Sequence, residues 1–112
     1  MLTVVFIERN GEKAGFSCEG HAGYAQEGED IVCSAVSALT FNTANSIEAF
    51  TDDPLIVEHS EDGGYLSVLL KETISDRSKV LLDSLELGLK MIEETYGNDY
   101  LTIRTQDQIV TA

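Results

Sequence analysis

The sequence predicts an α+β fold, a mainly antiparallel sheet of about five strands with two helices in the order ββαββαβ. Two hairpin signals carry the sheet. Asn10-Gly11 and Asp62-Gly63 each lie between apolar, β-branched runs, and both central residues of a type I′ turn need positive φ. Two longer stretches, about 31–50 and 76–96, are bounded by capping and breaking residues and read as helices. Short hairpins force antiparallel pairing, and a helix after each hairpin covers the sheet.

Residues 2–8, Leu-Thr-Val-Val-Phe-Ile-Glu, form the first strand, and residues 12–19 return after Asn10-Gly11. Residues 20–30 hold Gly20, Gly23 and Gly28 and no sustained apolar pattern, so they read as a long loop. Loops of that length inside a compact domain are often functional. Asp30 is a good N-cap for a helix running to about Phe50. Glu48 is its only charge between Ile31 and Phe50, and apolar residues fall on most faces, so burial nearly all round is expected. Asp52-Asp53-Pro54 ends it.

Residues 55–60 and 65–71 make the second hairpin. A second helix starts near Asp76 and stops before Gly97, a left-handed C-cap. Residues 100–105 alternate as the final strand, and the last residues, 106–112, have no pattern and read as a loose tail. On the second helix Leu81, Leu82, Leu85, Leu89, Ile92 and Tyr96 share a core face. Val80, Leu87 and Met91 form a separate stripe that needs a partner, and a subunit interface is the expectation.

The length fits a single domain over 1–112, enough to bury a core without staples. A net charge of −13 argues against direct contact with nucleic acid and suits a basic partner. No apolar run approaches the roughly 18 residues of a membrane span. The N-terminus, Met1-Leu-Thr-Val-Val-Phe-Ile-Glu-Arg, lacks the basic region and cleavage site of a signal peptide, so a cytoplasmic location is expected. Cys18 and Cys33 do not make a disulfide framework, and in a reducing compartment both are thiols.

Chemistry concentrates in Gly20-His21-Ala22-Gly23 and in Gly28-Glu29-Asp30-Ile31-Val32-Cys33-Ser34-Ala35-Val36-Ser37. With Asp30 as N-cap, Cys33 takes the third helical position, where backbone N–H groups and the helix dipole favour an anion. A thiol there has a reason to lose its proton, and the same N–H groups could receive an oxyanion. His21, across the glycine loop, is within folding reach as a base. Ser37 lies one turn beyond Cys33 on the same face.

These residues support other readings. Cys33 could be a redox-sensitive thiol with Cys18 as its resolving partner. Cys18, His21 and Cys33 could offer three zinc ligands, although the spacing is poor and a fourth ligand is missing. A non-catalytic binding module that keeps the motif for structure is a third. Taken alone, Cys18 reads as a buried spacer and His59 as a solvated strand residue.

The motif resembles the bacterial ribosomal-processing cysteine proteases, the Prp family. The matching residues are Gly20-His21-Ala22, then Gly28, then Asp30 through Ser37. The likeness continues through Asn45-Ser46-Ile47 and through the second helix with Glu93-Glu94. It implies a cysteine endopeptidase that removes the N-terminal extension of large-subunit ribosomal protein twenty-seven, cutting after a Phe-Phe sequence. It implies Cys33 and His21 as catalytic, Asp30 and Ser37 as supporting, no cofactor or metal, and a homodimer. It also implies that the loop over 22–29 is mobile. Gly23, Glu27, Gly28 and Glu29 then belong to a substrate loop, with Glu27 and Glu29 placed to meet basic groups of a ribosomal substrate.

Overall fold

The computed structural model describes residues 1–21, 23 and 30–108. β1 (Leu2–Arg9) and β2 (Glu12–Gly20) form the first hairpin. Asn10 and Gly11 sit at φ of 56° and 79°, the left-handed pair that the turn demands. α1 (Ile31–Phe50) follows, then β3 (Leu55–His59) and β4 (Tyr65–Leu70) as the second hairpin, then α2 (Asp76–Tyr96) and β5 (Leu101–Asp107). The order is ββαββαβ, as the sequence predicts.

The sheet runs β3-β4-β2-β1-β5. Three neighbouring pairs are antiparallel, and β1 with β5 is parallel, Leu2 facing Leu101. Each helix is therefore a crossover. α1 carries the chain from β2 past β4 to the edge strand β3, and α2 carries it from β4 to the opposite edge, β5. Leu2, Val4 and Phe6 on β1 alternate with half-buried Thr3, Val5 and Ile7, so one face of the sheet is covered and the other is not. Phe16, Leu66, Val68, Leu70 and Leu101 join the covered face. Val32, Val36 and Ile47 of α1 and Leu82, Leu85 and Leu89 of α2 pack onto it as one core. Each such side chain contributes about 1.5–3 kcal/mol by leaving water.

Two expectations change. α1 is not buried nearly all round: Ile31, Phe41 and Phe50 are exposed, as are Ser37, Ala38, Asn42 and Asn45. Two helices side by side on one sheet face each keep an outward side, and small uncharged residues there do not require burial. The strand before the tail also runs further than 105. Gln106 and Asp107 pair with β1, the Gln108 N–H donates to the Glu8 carbonyl at 2.7 Å, and Arg9 Nε donates to Gln108 Oε1 at 2.8 Å. Residues 106–108 are thus held, because a parallel partner supplies hydrogen bonds that no local pattern announces. Residues 109–112 lie outside the described residues.

On α2 the two stripes separate as expected. Leu82, Leu85 and Leu89 are buried, while Val80, Leu87 and Met91 are each more than 60% exposed. Among the described residues no helix is long and apolar enough to cross a membrane.

The start of α2 is tied to the end of α1 by Asp53. Its Oδ2 accepts from the Ser75 N–H at 3.0 Å, Ser75 Oγ at 2.6 Å and Ser78 Oγ at 2.5 Å. Ser75 is the N-cap, its Oγ accepting from the Ser78 N–H. Burial opposes the Asp53 charge, but the bonds from Ser75 and Ser78 outweigh it and hold the carboxyl below its ordinary value. A carboxylate lowered in this way adds stability above its unfolded pKa of about 3.9 and loses it as pH falls through the lower folded value. Asp53→Asn should therefore cost about 1–2 kcal/mol near neutral pH. Urea unfolding curves should show that cost shrinking as pH falls below the unfolded carboxylate value of about 3.9 and the wild-type carboxylate is itself protonated.

Candidate active site

The end of β2 and the start of α1 meet over one corner of the sheet. The Gly20 N–H donates to the Gly64 carbonyl at 2.9 Å, which fixes the last residue of β2 against the β3–β4 turn. His21 follows immediately and is exposed. Across the corner, Asp30 caps α1 with extended backbone angles, φ −76° and ψ 105°. Its Oδ1 accepts from the Val32 N–H at 2.9 Å and the Cys33 N–H at 3.0 Å, and its carbonyl accepts from the Ser34 N–H at 3.1 Å. Cys33 is thereby the third residue of the helix, as the cap predicts, and is half-buried.

His21, Cys33 and Ser37 line one small cleft of about 50 Å³. Its floor is Leu2, Cys18 and Leu66, and Thr40, Phe41, Gly63 and Gly64 complete the wall. Asp30 is buried beside it as the cap. Of the loop residues, Gly23 is exposed, whereas Glu27, Gly28 and Glu29 lie outside the described residues. A larger concavity of about 600 Å³ lies between Phe50, Asp53, Ser75 and Arg77, at the far end of α1, and its lining holds neither cysteine nor histidine.

The helix terminus does not work as its position alone suggests. The Val32 and Cys33 amides, expected to be open to a thiolate or an oxyanion, both donate to Asp30. The preference of the terminus for negative charge is met first by the cap. A good N-cap and an open anion site compete for the same N–H groups, and here the cap holds them.

Cys18 shares the cleft with Cys33 but differs in character. Burial, and after it the neighbouring Cys33, pushes its thiol up to about 11. It remains protonated at neutral pH, as a spacer would. Among the described residues no group of three or more His, Cys, Asp or Glu side chains is arranged to hold a metal ion.

Sequence reasoning did not single out Phe41 or Gly63-Gly64. Phe41 is 46% exposed and continues the line Cys33, Ser37 at helical spacing, so its signal was present. The glycine pair reads locally only as a turn. Its approach to His21 depends on β2 pairing with β4, which the sequence does not display.

Known proteins share both the sequence and the fold of this chain. The family described as cysteine protease Prp matches residues 1–101. A ribosomal processing cysteine protease Prp of Bacillus subtilis is 29% identical over 105 residues, covering 88% of this chain and 93% of the relative. Among solved structures, the essential ribosomal processing protease Prp from Staphylococcus aureus with a covalently linked product peptide is similar at a TM-score of 0.88 and 27% identity. That match covers 95% of this chain and all of the other. The same S. aureus protease in complex with a substrate peptide is similar at a TM-score of 0.82 and 26% identity, with 95% and 100% covered.

The two thiols should be chemically distinct. At pH 7 a thiol titrating near 11 is thiolate at only about one part in 10⁴. Limiting iodoacetamide should therefore label Cys33 well before Cys18, as read by peptide mass mapping. Equal labelling, or Cys18 first, would contradict this assignment.

Proposed function

The chain belongs to the cysteine protease Prp family, and from that premise we propose that Cys33 is its nucleophile and His21 the base that serves it. The observation that carries this reading is that residues twelve apart in sequence, on either side of a glycine-rich loop, line one cleft. Cys33 Sγ, its proton held by the His21 imidazole, attacks the carbonyl carbon of the scissile bond. The imidazolium then protonates the leaving amine, and the C–N bond breaks to leave a thioester on Cys33. Water, giving a proton to the imidazole, attacks the thioester and releases the new carboxylate and the thiol. Asp30 supports Cys33 by fixing the first helical turn, and Ser37, one turn along the same wall, orients the thiol or the substrate.

The substrate in this reading is the N-terminal extension of large-subunit ribosomal protein twenty-seven, cut after a Phe-Phe sequence. The exposed Phe41 ring beside Cys33 offers an apolar wall to such a side chain. A net charge of −13 draws a basic ribosomal protein toward the enzyme, and Glu27 and Glu29 meet its basic groups. The protein works as a homodimer through Val80, Leu87 and Met91, the exposed stripe of α2. It needs no cofactor.

The redox alternative fares less well. A resolving thiol must attack as thiolate, and Cys18 is held protonated by its burial.

A peptide spanning the extension, incubated with the enzyme and followed by mass spectrometry, tests the assignment. Cys33→Ala should abolish cleavage, and His21→Ala should lower kcat/KM by about 10³-fold. Cys18→Ser should stay close to wild type, and complete loss there would move the nucleophile. Separately, Leu87→Lys should convert a dimer to a monomer in sedimentation velocity, and an unchanged dimer would place the interface elsewhere.

A further inference from the structure

An exposed imidazole at the end of a strand acts as a directed base only when a second group fixes its ring and its tautomer. The β3–β4 turn supplies a group of that kind. A methyl placed on Gly64 would lie 3.4 Å from His21 Nε2, 3.3 Å from Asp62 Oδ1 and 3.7 Å from Asp62 Oδ2. The missing side chain of Gly64 thus leaves open the gap between an imidazole nitrogen and a carboxylate.

The carboxylate is itself held. Ser60 Oγ donates to Asp62 Oδ1 at 2.6 Å, and the Gly64 N–H donates to the same oxygen at 2.9 Å. Both bonds engage Oδ1, so Oδ2 can receive an imidazole N–H while both persist. The turn is pinned in place by the Gly20 N–H on the Gly64 carbonyl and by the Ser60 N–H on the Tyr65 carbonyl.

We propose that Asp62 is the positioning residue of the site, receiving His21 Nε2–H and leaving Nδ1 to face the Cys33 thiol. This deepens the assignment of Cys33 and His21 and rests on it. Asp62 would fix the ring and stabilise the imidazolium that exists while the thiol is ionised. The electrostatics agree: the bonds from Ser60 and Gly64 hold the Asp62 carboxyl below its ordinary value, and the nearby His21 adds to that effect. The other titratable groups around the corner have different roles. Cys18 stays a thiol, Asp30 binds the Val32 and Cys33 amides, and Cys33 is the partner to be served.

The test is the pH profile of kcat and KM for the peptide substrate, with Asp62→Asn, Asp62→Glu, Gly64→Val and His21→Ala compared with wild type. Asp62→Asn should lower kcat by about 10- to 100-fold with KM little changed, because the ring is misdirected rather than the substrate released. The alkaline limb of the profile should move to lower pH by roughly one unit. Asp62→Glu should restore most of the rate. Gly64→Val keeps both partners and plugs the gap, so it should show the same limb shift, and it decides the matter if Asp62→Asn does not fold. A wild-type kcat and profile in Asp62→Asn or Gly64→Val, with His21→Ala inactive, would overturn the role of Asp62 and leave the Cys33–His21 assignment standing. Full activity in His21→Ala would overturn both.

Discussion

One backbone hydrogen bond, from the Gly20 N–H to the Gly64 carbonyl, sets the geometry on which the site depends. It ends β2 against the second hairpin, and His21 leaves the sheet at that point. Cys18, two residues before Gly20, shares a cleft with Cys33 of α1. Three segments far apart in sequence therefore converge on one corner: the end of β2, the start of α1 and the β3–β4 turn. The sheet order β3-β4-β2-β1-β5 makes this possible, because it places β4 directly beside β2. The crossover through α1 then returns over the same strands.

The helix start shows how one local preference can displace another. Asp30 satisfies the Val32 and Cys33 amides and so fixes where Cys33 points. The same bonds occupy the donors that would otherwise favour an anion. In the proposed reading, activation of the thiol then rests on the imidazole. This is why the orientation of His21 matters more here than the position of Cys33 alone suggests, and why a carboxylate beside that imidazole is informative. In the proposed reading two acids divide the work, Asp30 capping the helix that carries Cys33 and Asp62 standing beside His21.

Much of this was legible in the sequence where the signal is local. Asn10-Gly11 announced its hairpin, Asp30 its cap, and the leucine spacing of α2 its buried face, since each depends only on neighbours along the chain. Long-range pairing was not legible. The parallel bond network from β1 carries β5 to Asp107 and fixes Gln108, although nothing in residues 106–108 reads as strand. The outward face of α1 lacks charge, so only the packing of two helices on one sheet face reveals it. Of the site, Cys33, His21 and Ser37 could be named from the motif. Asp62 and Gly64 could not, because a turn signal does not say what the turn stands beside.

In the proposed reading, Cys33 ionises because His21 is held next to it. The most direct measurement is the ultraviolet thiolate absorbance of Cys18→Ser protein across pH, with and without a second change, His21→Gln. A thiolate should persist below neutral pH and disappear when the imidazole is removed. A sulfur that titrates as an ordinary free thiol in both proteins would contradict it.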